Sequence, residues 1–288
     1  SGSGHSGQIH PRWWPRGDKV SEQSPNRITR IFEEHRQANT KALMPFVVGG
    51  HPTPDSLPSL LKAMDGAGAD IIEIGFPFSD PIADGPVIAA AMHEALQNKV
   101  TPGKILESIS AVRPHINAGL VAMLSVSIAD RLGRASFLDR AKAAGLDGVI
   151  LPDLDPEEAP EVANLCDQRE LALGLLVGPA TTGPRLATIL SSCRGFVYLL
   201  ARAGITGESD QAPEVEARVA ELRSLTQLPV ACGFGIGSAS QVEAVTQHAD
   251  AAIVGSALVR RLQDAADPAA CASDFVQELS AGLGQPEA

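Results

Sequence analysis

Aromatic side chains are scarce, with Trp 2, Tyr 1 and Phe 8 in 288 residues. Both tryptophans, Trp13 and Trp14, fall in a Gly-, Ser- and Pro-rich opening stretch, so the body of the chain has no tryptophan and a single tyrosine, Tyr198. The cysteines Cys166, Cys193, Cys232 and Cys271 stand far apart, with no C-x-x-C and no zinc-ligand spacing. This excludes a disulfide-stapled miniprotein and a cysteine zinc site; four reduced, mostly buried thiols are expected. No apolar run approaches the ~18 residues a membrane span needs. The opening SGSGHSGQIH lacks the basic-then-apolar order of a secretion signal, so the cytoplasm is the expected location. A basic excess is missing too: 23 Lys and Arg face 34 Asp and Glu, a net charge of −11. No broad surface for nucleic acid or anionic lipid is expected, and any anionic ligand must be gripped locally.

The composition, 44% hydrophobic and 20% charged, is that of a globular protein rather than a disordered or collagenous chain. Residues 1–26 lack periodicity and read as a tag or a flexible extension, in which the Trp13–Trp14 pair is either incidental or a docking patch. Residues 27–288 read as one domain.

From Arg27 onward two periodicities alternate. Ile28, Ile31, Phe32 and His35 have helical spacing, and the apolar run Leu43–Val48 ends at Gly49, Gly50 and Pro52. The same strand-and-turn signal recurs at Ile71–Phe76, Gly119–Leu124, Gly148–Leu151, Leu171–Val177, Gly195–Leu200, Leu228–Cys232 and Ala251–Val254. Between these runs, series such as Leu57–Leu60–Leu61–Met64, Ile105–Ile109–Val112 and Val215–Val219–Leu222 repeat every three or four residues, as in helices with one buried face. Strands that are apolar throughout are buried on both faces. Eight of them alternating with helices predict a single α/β domain, a (β/α)₈ TIM barrel with an extra N-terminal helix; an open doubly wound sheet is the competing architecture. In a barrel the site lies on the loops after the strand C-termini.

Those loops carry distinctive residues. Glycines cluster at Gly204–Gly207, Gly233–Gly237 and Gly255–Ser256, after the sixth, seventh and eighth predicted strands. There, main-chain N–H groups and a helix N-terminus can hold a phosphate without basic side chains; each cluster alone would equally suit a structural turn. In the second predicted strand Glu73 sits between isoleucines with Ile71 and Gly75 on its face, so its carboxylate points into the barrel. Desolvation there would raise its pKa and suit it to proton transfer, unless an interior salt bridge claims it. Asp80 and Asp84 follow in a loop bracketed by Pro77, Pro81 and Pro86, where they either approach the cavity or cap turns. Tyr198, inside a buried strand, needs a hydroxyl partner from a ligand or a carboxylate, or serves packing alone. The seven histidines show no paired spacing, and His51 is the only one in a predicted top loop; no metal site is expected.

The segment EIGFPFSDPIADGP, residues 73–86, closely resembles the signature of the α subunit of tryptophan synthase. PFVVGGHP (45–52), LLARAGITG (199–207), GFGIG (233–237) and VGSALV (254–259) extend the resemblance over the body of the chain from about Arg27. It implies retro-aldol cleavage of indole-3-glycerol phosphate to indole and glyceraldehyde 3-phosphate. By the same resemblance Glu73 would be the general acid/base at indole C3, and Asp84 the carboxylate at the indole N–H. Phe46 would pack on the indole and Tyr198 would line the pocket beside Glu73. Thr206 would help the sixth loop close over Asp84, and Gly207, Gly235, Gly255 and Ser256 would hold the phosphate. No metal or organic cofactor is implied in this chain. Pyridoxal phosphate is expected only in a β-subunit partner, which receives indole through a tunnel in an α2β2 complex.

The departures from the family pattern cluster. Val48 and His51 stand where the family has Thr and Asp; Ala89 and Glu94 replace Gln and Arg; Met-x-Tyr-x-Asn reads Met123-Leu-Ser125-Val-Ser127; and an expected Pro is Asp155, with Pro156 next. Pro77, Asp80, Ser125 and Ser127 are the expected partner-facing residues, so altered or weakened docking is expected. Rival readings are a stand-alone lyase releasing free indole, a sugar-phosphate isomerase or epimerase on the same barrel, and a barrel of low activity that acts mainly as an allosteric partner.

Overall fold

The computed structural model describes residues 26–79, 85–200, 215–233 and 235–284. Among them are the strands β1 (Ala42–Val48), β2 (Ile71–Gly75), β3 (Gly119–Met123), β4 (Gly148–Ile150), β5 (Ala172–Gly174), β6 (Leu176–Val177), β7 (Val197–Leu200), β8 (Val230–Gly233) and β9 (Ala251–Val254). Neighbours pair in parallel in the order β5-β4-β3-β2-β1-β9-β8-β7-β6. The first strand is therefore bonded to the last, and the two ends of the order, β5 and β6, are consecutive stretches of one chain. The sheet curls round to meet itself through Leu175, which is a barrel and not an open doubly wound sheet.

The fifth predicted strand, 171–177, is thus two. Leu173 turns its free edge to Arg194 in an isolated antiparallel bridge, each N–H donating to the other's C=O at 2.9 Å. The parallel ladder to β7 resumes only at Leu176, opposite Tyr198.

Helices form where the apolar period repeats. In Leu57–Gly66 the residues Leu57, Leu60, Leu61 and Met64 are the buried face, and in Pro102–Val112 the Thr101 side chain caps the helix by accepting from Lys104 N–H. The helix Arg27–Ala38 begins at Asn26, whose side chain accepts from Thr29 N–H, and ends at Asn39 in the left-handed region. Its buried Ile28 and Phe32, one turn apart, enter the inner cluster that also contains Ala42, Met44, Ile71, Val121, Ile150, Ala172, Phe196, Tyr198, Ala231, Ala251 and Ile253. Gly119, the first residue of β3, leaves room for Ile28, and the Phe32 and Phe196 rings lie 6.0 Å apart. This extra helix plugs the amino-terminal end of the barrel. Of the extension read over residues 1–26, only Asn26 lies among the described residues.

Three aspartates repeat one contact at that end. Asp70, just before β2, accepts from Leu43 N–H at 2.8 Å and donates its own N–H to Leu43 C=O at 3.1 Å. Asp147, before β4, does the same with Leu120 at 2.9 and 2.8 Å, and Asp250, before β9, with Val230 at 2.8 Å in both directions. Each fastens the start of one strand to the start of its neighbour. A hydrogen bond to a charged acceptor is worth about 1.5–3 kcal/mol.

Candidate active site

Alternation along β2 fixes the direction of Glu73. Ile71, on the same face, belongs to the inner cluster, and in register Glu73 lies between Phe46 of β1 and Val121 of β3. Its exposure is 0%, and neither carboxylate oxygen has a hydrogen-bond partner among the described residues. Among the described residues no cation pairs with it, so the interior salt bridge is absent there. Desolvation holds its pKa well above the usual carboxylate value of 4.5. Burial without a counter-charge thus favours the protonated form of this carboxyl over the ionised one.

Phe46 joins this acid to the opposite corner of the mouth. A Cβ on Gly75, two residues beyond Glu73, would stand 2.5 Å from Phe46 Cζ, so the ring lies directly over that glycine. The other end of the same side chain reaches Gly255, where an added Cβ would be 3.8 Å from Phe46 Cβ and 3.6 Å from Ile88 Cδ1. Gly255 opens the helix Ser256–Gln263, whose start carries no side-chain cap. Buried Ser256 begins that helix, and the N–H groups of a first turn without a side-chain cap, together with the helix dipole, make the corner suited to an anion.

Tyr198 faces inward from β7, where its hydroxyl would lie 2.6 Å from a Cβ on Gly233. Gly235 follows β8 in the adjoining turn. Asp80, Asp84, Thr206 and Gly207 lie outside the described residues, so Glu73, Phe46, Tyr198, Gly235, Gly255 and Ser256 are the expected site residues that can be placed.

On the third loop, Ser125 and Ser127 form a local network. The Ser125 hydroxyl donates to Asp153 Oδ2 at 2.7 Å and lies 2.8 Å from Ser127 Oγ, while Val126 N–H donates to Asp153 Oδ1 at 2.8 Å. Asp153 thereby fastens the loop after β4 to the start of the helix Val126–Leu132. Sequence reasoning passed over Asp153; its position between Pro152 and Leu154, straight after the fourth strand, was the available signal. Pro77 is buried after β2. Two of the family departures also meet, His51 Nδ1 lying 3.2 Å from Glu94 Oε2.

Cys166, Cys193 and Cys232 are free and buried, and burial pushes each thiol up to about 12; Cys271 is partly exposed. Among the described residues, no group of three or more His, Cys, Asp and Glu side chains could hold a metal ion, and no helix is long and apolar enough to cross a membrane.

A closed parallel barrel, an unpaired acid in its interior and an uncapped helix start across its mouth define a TIM-barrel protein built for acid–base chemistry on an anionic ligand. A family model described as tryptophan synthase alpha chain matches residues 32–284. The tryptophan synthase alpha chain of Methylococcus capsulatus is 40% identical over 258 residues, covering 88% of this chain and 97% of that one. That of Laribacter hongkongensis is 39% identical over 262 residues, with 90% and 98% covered. Among solved structures, Mycobacterium tuberculosis tryptophan synthase superposes with a TM-score of 0.82 at 34% identity, covering 90% of this chain and 99% of that one. The chain belongs to the tryptophan synthase alpha chain family, lyases that cleave indole-3-glycerol phosphate.

Proposed function

We propose that residues 27–288 form one lyase domain in which Glu73 delivers the proton that starts cleavage of indole-3-glycerol phosphate. The single observation that supports this assignment most is the Glu73 carboxyl, fully buried, inward-facing and without a hydrogen-bond partner among the described residues. Protonation at indole C3 makes a cation whose charge lies at the ring nitrogen, where the Asp84 carboxylate would stabilise it. Loss of a proton from the adjacent glycerol hydroxyl then turns that carbon into the aldehyde of glyceraldehyde 3-phosphate. The C–C bond breaks and its electron pair returns to the ring, giving indole. The ionised Glu73 is the base available to take that proton, so no net proton is consumed.

Phe46 would flank the indole and Tyr198 would bound the pocket. Gly235, Gly255 and Ser256, with Gly207, would receive the phosphate, and Thr206 would hold the sixth loop against Asp84. The chain itself needs no cofactor in this scheme. A β subunit carrying pyridoxal phosphate is the proposed partner, contacted through Pro77, Asp80, Ser125 and Ser127 in an α2β2 assembly. A cytoplasmic setting fits four free cysteines, three of them buried.

Purified protein is expected to release indole from indole-3-glycerol phosphate, and Glu73→Gln to abolish release with the circular dichroism of the wild type. A Gln variant with unchanged turnover would sink the assignment. Full turnover by the isolated chain, without stimulation by a β subunit, would instead establish the stand-alone lyase.

A further inference from the structure

We infer that His51 and Glu94 are positioning residues for the phosphate end of the substrate, an inference that rests on the lyase reading above. His51 follows β1 directly after Gly49 and Gly50 and is 2% exposed. Its Nδ1 lies 3.2 Å from Oε2 of Glu94 on the helix Pro86–Gln97, while its Nε2 is buried without a hydrogen-bond partner among the described residues. A carboxylate oxygen accepts, so Nδ1–H is the donor in this contact. The ring is held by that one nitrogen, with Nε2 turned into the interior. Among the described residues the Glu94 bond is the only polar anchor of this ring.

The bond joins two elements that build the anion corner. β1 supplies Phe46, which reaches Gly255, and the helix Pro86–Gln97 supplies Ile88, whose Cδ1 would be 3.6 Å from a Cβ there. The same helix packs on β1 and on Ser256–Gln263, the helix whose uncapped start forms the corner. Glu94 lies about 9 Å along the helix axis from Ile88, at ~1.5 Å per residue. His51 and Glu94 thus fix the tilt of the helix from its far end. Neither residue is a neighbour of Glu73 in register, so the link bears on how the phosphate is seated and not on the proton transfer.

The test measures steady-state kinetics with indole-3-glycerol phosphate and, in parallel, calorimetric binding of inorganic phosphate. His51→Leu is expected to raise KM and the phosphate Kd roughly tenfold, the factor set by about 1.4 kcal/mol, with kcat within about twofold. Asn places an amide N–H the same number of bonds from the backbone as Nδ1, so His51→Asn should hold KM near the wild-type value. Gln reaches one bond further, and His51→Gln should not. Glu94 is 47% exposed, so Glu94→Ala is the variant most certain to fold and should reproduce the KM rise. Unchanged KM in both His51→Leu and Glu94→Ala, or a fall confined to kcat, overturns the inference. Wild-type protein that binds phosphate but makes no indole would count against the lyase reading, leaving the phosphate comparison to judge the link.

Discussion

The ring of Phe46 occupies the space that a side chain on Gly75 would need, its Cζ only 2.5 Å from the Cβ position. Because Glu73 is two residues away on the same face, the contact sets the clearance beside the acid. Gly75→Ala should therefore displace the ring, lower kcat/KM by at least about tenfold and destabilise the fold by about 1–3 kcal/mol, the usual range for overpacking. Urea unfolding together with indole release would check both numbers. The Gly233–Tyr198 contact makes the same demand across the barrel, with the Tyr198 hydroxyl 2.6 Å from the Cβ position.

Glu73 is expected to govern stability as well as turnover. Its folded-state pKa is raised, by desolvation, well above 4.5. The folded state therefore holds a proton that the unfolded state releases near pH 4.5. The stabilisation from that proton is complete below the unfolded value and is lost as pH rises through the folded one. Glu73→Gln, which cannot ionise, should gain melting temperature over wild type as pH rises above 4.5, while its indole release is abolished. Thermal melts across pH 4–9 would read the difference; parallel curves for the two proteins would contradict it.

Removing the aspartate contacts at the amino-terminal end should weaken the barrel without touching the site. Asp70→Ala and Asp250→Ala are each expected to cost about 1–3 kcal/mol in urea unfolding. Asp147→Ala should cost the most, because this carboxylate meets two guanidiniums, Arg113 at 3.3 Å and Arg27 at 3.5 Å, where Asp70 and Asp250 each meet one basic side chain, His35 and Arg223, and losing it strands a half-buried guanidinium. KM should be unchanged in every variant that folds.

For the β subunit, docking weaker than the family norm is expected. Ser125 is 5% exposed and its hydroxyl is committed to Asp153, so it offers a partner neither a ring nor a free amide. Mixing the chain with its own organism's β subunit and following lyase rate against concentration should give modest stimulation with a half-maximum in the micromolar range or weaker. Tight association with strong activation would refute this. Asp153→Ala, which removes two hydrogen bonds from the third and fourth loops, should weaken the stimulation further.

Much of this architecture is legible in local sequence because it depends on local periodicity. The apolar run 251–254 coincides with β9, and the alternation around Glu73 fixes its inward direction. The break between β5 and β6 could not be read this way, since it depends on Arg194 arriving opposite Leu173 and on the Phe196 ring closing against Gly174. The aspartates before β2, β4 and β9 stand in plain view in AGAD, AGLD and HAD. Their grip on Leu43, Leu120 and Val230 is a property of strand register between distant segments. His51 and Glu94 are likewise conspicuous as departures, but only the packing of a helix on the first loop brings them together.

The N-terminal helix has one further effect. With Ile28 and Phe32 driven into the lower rim like a stopper, the described part of the barrel is shut at that end. Under the proposed reaction, a ligand would then approach the acid inside from the loop end, so whatever covers that end would govern its entry.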